Sequence, residues 1–250
     1  MTTCANCNGQ VETNFCPTCG QKNHLHRITF GHVVHEGLHS ITHADKGFLL
    51  LVKSLLTRPG FVAKEYIEGK RKRYFNPLSF LVISSALFAY FGSITGFMDA
   101  LTGGGTARTG GRPISEEWRE AYRIAATSGK WLTLLLIAPL FSLLSWLFFI
   151  RKKYNYAENF VLHAFIFGEA VLFRLLVFIP LFLIVPEKTS ILNLVVYEAF
   201  FLLFLTVAYK QFFNQHILLI VTKVILIRAL FVVLFWGLIY GYVIVKPLVL

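Results

Sequence analysis

The chain has 250 residues, of which 56% are hydrophobic and only 15% are charged. Soluble domains carry about 25% charged residues, so this composition excludes an ordinary soluble domain, and its hydrophobicity excludes a disordered chain. The net charge is +11, but the basic residues form short runs beside apolar segments rather than a broad basic surface interleaved with aromatic residues. The sequence therefore predicts a membrane protein and argues against nucleic acid as a partner.

Four cysteines, arranged as two Cys-x2-Cys pairs, lie near the N-terminus: Cys4, Cys7, Cys16 and Cys19. Two such pairs can close a tetrahedral zinc site, because each tight turn presents two thiolates to one ion. Gly9 and Gly20 are expected to supply the unusual backbone angles of the turns. Two disulfides are the alternative, which a reducing cytosol disfavours. We predict a zinc ribbon at residues 1–23 with one structural Zn²⁺, whose closed ligand shell excludes catalysis.

Residues 24–76, which follow the ribbon, are basic and rich in histidine. Four histidines at helical spacing form one ridge of a predicted amphipathic helix: His32, His35, His39 and His43. Within this ridge, His35, Glu36 and His39 match the H-E-x-x-H pattern of zinc peptidases, in which the glutamate activates a metal-bound water. Gly37 disfavours a helix at this point, and so short a pattern often arises by chance. A solvated polar face is therefore preferred, with a metal-binding or pH-responsive patch and a peptidase as alternatives.

The segment after the histidine ridge contains an ordered set of short motifs. They are His43-Ala44-Asp45-Lys46-Gly47-Phe48, Arg58-Pro59-Gly60 and Tyr66-Ile67-Glu68-Gly69-Lys70-Arg71-Lys72-Arg73-Tyr74-Phe75-Asn76-Pro77. Together with the N-terminal cysteines, this set resembles an uncharacterised bacterial family of polytopic membrane proteins with an N-terminal zinc ribbon. The resemblance covers roughly the first 95 residues. It implies an inner-membrane protein of that architecture, and it implies no activity.

A run of four basic residues lies directly before the first long apolar segment: Lys70, Arg71, Lys72 and Arg73. Each Lys or Arg near anionic lipid contributes about 1 kcal/mol of attraction, and such runs also set the orientation of the span that follows. We predict that the run sets topology and contacts anionic headgroups of the inner leaflet. The apolar segment Phe48–Leu56 and the helix that begins at Pro59 are expected to be interfacial helices on the cytoplasmic surface.

Five segments are apolar and long enough to cross a bilayer, which takes about 20 residues. Within a transmembrane domain at 77–250 they cover residues 78–97, 131–150, 160–185, 191–209 and 217–245. Lys and Arg concentrate before the first span, after the second and after the fourth, which places these loops in the cytoplasm. The predicted fold is an all-α, five-helix transmembrane bundle in the inner membrane, with a cytoplasmic N-terminus and an external C-terminus.

Three charged residues fall near the middle of consecutive predicted spans: Glu169, Glu198 and Arg228. A charge within a membrane usually faces a partner or a pathway, and consecutive spans are usually neighbours. We predict a midplane cluster in which Arg228 pairs with Glu169 or Glu198. An interhelical structural pair is the preferred interpretation, and an ion or substrate pathway and a lipid-headgroup site are the alternatives.

Three functions are compatible with these features. A non-enzymatic docking or scaffold protein would use the ribbon to bind a protein partner. A transporter of ions, small molecules or lipids would use the intramembrane charges, and a membrane metallopeptidase would use the HEGLH pattern. The first function is preferred, because the paired Cys-x2-Cys motif is the most specific signal in the chain.

Overall fold

The computed structural model describes most of the chain and is mainly helical over the described residues, as the sequence predicts. The described residues are 2–23, 27–31, 33–34, 47–97, 108–109, 112–113, 115, 117, 120–121, 136–185 and 193–249. Two small antiparallel sheets accompany the helices. Their strands are β1 Thr2–Thr3 with β2 Gln10–Val11, and β3 Arg108–Thr109 with β4 Arg112–Pro113.

The N-terminal unit is held by very few apolar contacts. Its first strand places Thr2 opposite Val11, and an isolated bridge joins Phe15 to Lys22. The buried apolar residues of this unit are two cysteines and one valine: Cys4, Val11 and Cys16. Burial of so few apolar side chains cannot offset the loss of conformational entropy when this segment folds. Its stability is therefore expected to come from a metal ion bound by the cysteines.

Two short helices form a hairpin that packs on the transmembrane helices. Helix α1 spans Gly47–Thr57, and helix α2 spans Pro59–Ile67 with its proline in the first turn, where no N–H is needed. Helix α1 buries Leu51 and Leu55, and helix α2 is buried along most of its length. Both helices pack on the central span described next, rather than lying only at an interface.

Among the described residues, four helical segments are long and apolar enough to cross a membrane: Pro77–Ile94, Tyr156–Ile184, Val195–Phe213 and Ile217–Val245. They correspond to helix α3 (Pro77–Ile94), helices α5 (Tyr156–Phe173) and α6 (Ile179–Ile184), helix α7 (Glu198–Phe213) and helix α8 (Ile217–Val249). A π-helical turn at Arg174–Phe178 joins α5 to α6, and another at Asn193–Tyr197 precedes α7. The chain is therefore built as a multi-pass membrane protein.

Local capping sets two boundaries that hydropathy misplaces. The third predicted span begins at Tyr156, earlier than expected, because Asn155 and Glu158 form a capping box at its N-terminus. The fourth continues to Phe213, beyond the predicted end, because Lys210 is accommodated in the last turn and Asn214 ends the helix in the left-handed conformation with φ 47°.

The second predicted span, 131–150, is represented by helix α4, Ala138–Phe148. This helix is apolar but has only 11 residues, which is too short to cross a bilayer alone. Residues 131–135 of the prediction lie outside the described part of the chain. The structure therefore supports four spans, and the fifth stays a prediction.

Helix α5 is the centre of the bundle, since it packs on α2, α3, α4 and α7 and is almost completely buried. Its contact with α3 is tight at Gly168, where a Cβ atom would lie 2.4 Å from the ring of Phe80. Helix α8 packs on α4 and α7 along one side, and its other side exposes large aliphatic residues. Such a surface is suited to contact with lipid chains.

Candidate metal centre

The four cysteine thiols converge at one point in the N-terminal unit. Cys4 Sγ lies 3.6 Å from Cys19 Sγ, and Cys7 Sγ lies 3.5 Å from Cys16 Sγ. All four sulfur atoms lie within 4.8 Å of one another, and the four cysteines are free thiols. Four sulfurs bonded to a tetrahedral ion such as zinc at about 2.3 Å are separated by about 3.8 Å, so the group fits one metal ion.

The two Cys-x2-Cys turns share one backbone pattern. In the first turn the Asn8 N–H donates to the Cys4 carbonyl at 2.9 Å, and in the second the Gly20 N–H donates to the Cys16 carbonyl at 2.9 Å. The φ angles of Asn8 and Gly20 are 62° and 69°. The left-handed position predicted for Gly20 is confirmed, and the one predicted for Gly9 is wrong, because Asn8 takes it and asparagine tolerates this conformation.

Gly9 has a different role, which is steric. A Cβ atom at this position would lie 3.4 Å from Cys7 Sγ and 3.4 Å from Thr18 Oγ1. A Cβ atom at position 9 would therefore be in van der Waals contact with the Cys7 sulfur. Gly9 therefore lies against both turns, since its nearest neighbours are Cys7 of the first and Thr18 of the second.

The chemistry of the site favours metal binding by thiolates. Backbone N–H groups of Cys19 and Thr18 lower the pKa of the Cys16 thiol from 9.0 to about 6 against the effect of burial. A backbone N–H at Gly9 lowers the pKa of the Cys7 thiol, but hydrogen bonds to the other cysteines, Cys16 first, and burial outweigh it and raise that pKa to about 12. The four thiols therefore share their protons, and because the thiolate is the form that ligates metals, binding of an ion would release the protons that remain. Four thiolates in a tetrahedron suit zinc or iron, and they leave no open coordination position.

The ribbon is attached to the turn between helices α2 and α3. The backbone N–H of Lys72 donates to Gln21 Oε1 at 3.1 Å, and Gln21 is buried. Gln21 directly follows the second Cys-x2-Cys turn, so the cysteine cluster and the basic run Lys70–Arg73 are joined through one side chain. The sequence gives no sign of this contact, because the two residues are far apart in the chain.

The chain that leaves the ribbon is anchored on the start of helix α5. Arg27 forms a bidentate ion pair with Glu158, at 2.9 Å and 3.0 Å, and also donates to the Lys153 carbonyl at 2.6 Å. Asn155 Nδ2 donates to the Ile28 carbonyl at 3.0 Å. The residues that cap helix α5 therefore also fix the ribbon to the same end of the bundle.

The basic run surrounds an acidic residue that the sequence does not reveal as important. Glu65 lies 3.5 Å from Lys70, 4.0 Å from Arg73 and 3.6 Å from Arg58, and it accepts a short hydrogen bond from the Tyr74 hydroxyl. Burial opposes its ionisation, but these partners outweigh burial and hold the pKa of Glu65 below its usual value. Burial and the bond to Glu65 raise the pKa of Tyr74 to about 12.

This arrangement divides the predicted lipid-contact residues into two kinds. Lys70 and Arg73 form ion pairs with Glu65, so part of their positive charge is neutralised within the protein and less of it is left to attract anionic lipid. Lys72 is exposed and contacts the ribbon through its backbone. The predicted contact of the whole run with anionic lipid stays a prediction.

The Arg58-Pro59-Gly60 motif marks the closest approach between the hairpin and the bundle. A Cβ atom on Gly60 would lie 2.2 Å from the carbonyl oxygen of Ala208 on helix α7. The Gly60 N–H donates to Gln211 Oε1 at 3.0 Å, and Gln211 Nε2 donates to the Thr57 carbonyl at 3.3 Å. One glutamine therefore satisfies backbone groups on both sides of the break between α1 and α2.

Residues 45–89 match the family described as "Protein of unknown function (DUF3667)". The match confirms the resemblance drawn from the motifs between His43 and Pro77. No curated protein and no solved structure matches the chain. The DUF3667 segment thus contains helices α1 and α2, which dock on the bundle, the basic turn, and most of the spanning helix α3.

The intramembrane charges predicted to cluster are only partly brought together. Arg228 forms a bidentate pair with Glu198, at 2.7 Å and 3.2 Å. Glu169 is buried on helix α5, and its Oε2 atom has no hydrogen-bond partner among the described residues. Counting residues along a helix gives the depth of a side chain but not its direction, which is why the sequence could not choose between the two acids.

A polar network inside the bundle, outside the DUF3667 segment, was missed by sequence reasoning. His163 is fully buried, with Nδ1 2.7 Å from the Asn159 carbonyl and Nε2 2.8 Å from the Tyr209 hydroxyl. The hydroxyl of Ser145 donates to Asn159 Oδ1 at 3.3 Å. In the sequence, this network is signalled by the spacing of Asn159 and His163, two polar residues one helical turn apart in an apolar segment. The network joins α4, α5 and α7.

Replacement of Arg228 by alanine is expected to lower the free energy of unfolding by about 3–5 kcal/mol, because it leaves Glu198 unpaired in a low dielectric. The double replacement Arg228→Ala/Glu198→Ala should cost less than Arg228→Ala alone, because no charge is then stranded. Reversible unfolding of the purified protein in mixed micelles measures both losses. Strictly additive losses from Arg228→Ala and Glu198→Ala would contradict the pair.

The predicted peptidase residues His35, Glu36 and His39 lie outside the described residues, as do His32 and His43 of the histidine ridge. Within the described part of the chain, the four cysteines are the group that could hold a metal ion.

Proposed function

We propose that the protein is a non-enzymatic docking protein of the bacterial inner membrane, with a cytoplasmic zinc ribbon that binds a protein partner. The four converging thiols carry this proposal, because a closed thiolate site of this kind stabilises a fold and does not catalyse. The ribbon is held at the basic end of the bundle by the contacts of Gln21 and Arg27. Anionic headgroups of the inner leaflet are the expected surroundings of this end.

The ribbon also presents a suitable contact residue. Phe15 is 58% exposed, although it is a large aromatic residue in a unit with almost no core. Exposed aromatic residues on small rigid modules are typical anchors of protein interfaces. Phe15 lies next to the ligand Cys16, so metal binding would fix its position.

Comparison of three forms of the full-length protein tests the docking proposal. Wild type, Phe15→Ala and Cys16→Ser would be captured from membranes, and the bound proteins compared. A specific partner should be retained by wild type and lost from both variants, while Phe15→Ala keeps its zinc. Identical partners on all three forms would reject the ribbon as the docking module.

Transport is the second candidate, and the buried, unpartnered oxygen of Glu169 favours it over the peptidase. An unpaired acid inside a bundle is the usual element of a proton or ion pathway. Proton or ion flux in proteoliposomes that is lost in Glu169→Gln, with the fold intact, would establish this function. The peptidase would need a second metal, so one zinc ion per chain argues for the ribbon alone.

The five-span topology gives a direct prediction. Cytoplasmic reporters fused after residue 76, 155 or 213 should be active, and periplasmic reporters should be active after residue 110, 188 or 250. The physical reason is the concentration of Lys and Arg in the first set of loops. This arrangement requires residues 131–150 to cross the membrane with helix α4 as their inner half. A cytoplasmic signal at residue 250 would contradict the five-span topology.

A further inference from the structure

A cavity of about 380 Å³ lies where the end of helix α4 meets the beginning of helix α8. Its lining combines three cationic residues with an aromatic ring and an amide: Arg151, Lys152, Lys223, Phe149 and Gln215. Its volume falls within the range of about 300–1,000 Å³ that is usual for small-molecule pockets. The cavity is separate from the metal site and from the Glu198–Arg228 pair.

The three cations of this cavity have no acidic partner in the part of the chain that the structure describes. Among the described residues, no carboxylate forms an ion pair with Arg151, Lys152 or Lys223. Lys223 lies close enough to Lys152 and Arg151 to be repelled by their charges. An uncompensated group of like charges in a partly enclosed site is stabilised by an anion.

Lys223 is held in a position that directs its charge into the cavity. Its Nζ lies 4.1 Å from the centre of the Phe149 ring and donates to Gln215 Oε1 at 3.1 Å. Lys223 is six residues into helix α8, about 9 Å along its axis at 1.5 Å per residue. Its side chain therefore reaches back to a residue that precedes the helix, as lysines do when they extend from a membrane span towards the headgroups.

The rim of the cavity is apolar and outward-facing. Leu147 and Ile150 line it and are 48% and 56% exposed. A free anion in water gains nothing from such a rim. A molecule with an anionic head and an apolar tail can bind the cations and cover the rim at the same time.

We propose that this cavity binds the phosphate group of an anionic phospholipid, with Arg151, Lys152 and Lys223 around the phosphate and the acyl chains over Leu147 and Ile150. This lipid site rests on the proposed location of the protein in the inner membrane. It adds to that proposal one defined site for one class of lipid. It differs from the predicted role of the Lys70–Arg73 run, which lies on another turn and shares its charge with Glu65.

The purified full-length protein in neutral detergent tests the site. Short-chain phosphatidylglycerol, short-chain phosphatidylcholine and inorganic phosphate would be titrated separately, with thermal unfolding as the readout. Phosphatidylglycerol should raise the unfolding temperature in a saturable manner. Lys223→Gln should weaken that binding about tenfold, the usual effect of losing one hydrogen bond to a charged group.

Two further variants keep the result interpretable. Arg151→Gln removes a cation from an exposed position and should weaken binding even if Lys223→Gln proves unstable. Lys53→Gln removes an exposed lysine of helix α1 outside the cavity and should leave binding unchanged. Equal losses in all three variants would show a non-specific charge effect and overturn the site.

Comparison of phosphatidylglycerol, phosphatidylcholine and inorganic phosphate shows whether the cavity recognises a lipid and whether it recognises an anion. Inorganic phosphate that binds as tightly as phosphatidylglycerol would overturn a lipid ligand, and equal binding of the two lipids would overturn recognition of the anion. The titration does not depend on orientation or on the ribbon. Its failure would therefore leave the proposed topology and docking function standing, and a reversed topology would leave the cavity unaffected.

Discussion

Cys16→Ser is expected to release the metal and unfold residues 2–23, while the transmembrane helices remain inserted. The apolar core of the ribbon consists of two cysteines and one valine, so we expect metal binding to supply nearly all of its stability. Structural zinc contributes about 10–16 kcal/mol in isolated zinc-finger peptides at neutral pH, far more than this core could replace. Metal analysis together with limited proteolysis of the purified protein measures both effects.

Thr3→Ser is the matched control, since it changes an exposed residue of the same unit without touching a ligand. It should keep one metal ion per chain and resist proteolysis as wild type does. A strong chelator should reproduce the Cys16→Ser pattern in wild type. Wild-type protein purified under reducing conditions without any metal would refute the assignment of the ribbon.

Gly60→Ala is expected to displace the helical hairpin from the bundle. The added methyl group would lie 2.2 Å from the Ala208 carbonyl oxygen and 2.7 Å from the Phe212 backbone nitrogen, and neither backbone atom can move without moving helix α7. Overpacking typically costs about 1–3 kcal/mol. Displacement would also break the hydrogen bonds of Gln211 to Thr57 and Gly60, so the loss should reach or exceed the upper end of that range.

Gly237→Ala on helix α8 is the control for this replacement, because an added Cβ there meets nothing within 4 Å. It should be neutral or stabilise the protein by about 0.4–1 kcal/mol through the unfolded state. Unfolding free energies in micelles compare the two variants, and proteolysis between α1 and α2 reports on the hairpin. Equal stability of Gly60→Ala and wild type would show that this close contact is absent.

Features that depend on neighbours in sequence were predictable, and features that depend on neighbours in space were not. The cysteine spacing predicted that the four thiols converge, and hydropathy predicted four of the spanning helices, because both patterns are local. Asn8 was overlooked because glycine is the usual residue for its conformation. The sequence shows the basic run Lys70–Arg73 directly. It does not show that Glu65 forms ion pairs with Lys70 and Arg73, because a single glutamate in a short helix is common on protein surfaces.

Contacts between the spanning helices were likewise not predictable from local sequence patterns. Arg228 had two possible acidic partners at similar depth, and only the helix orientations select Glu198. The network of His163, Asn159 and Tyr209 combines two polar residues one turn apart on α5 with a tyrosine on α7. The hydrogen bond between His163 and Tyr209 forms only because α5 packs against α7, and no short sequence pattern predicts that packing.

The separation between interacting residues sets an order of events during synthesis. The four cysteines of the ribbon lie within 15 positions of one another along the chain. Gly60 and Gln211 are 151 positions apart, and Arg27 and Glu158 are 131 apart. At typical translation rates the hairpin waits on the order of ten seconds for its binding surface. Helix α1 carries exposed apolar residues such as Leu49 and Leu56 even when docked, so we expect the undocked hairpin to need an apolar surface during that interval.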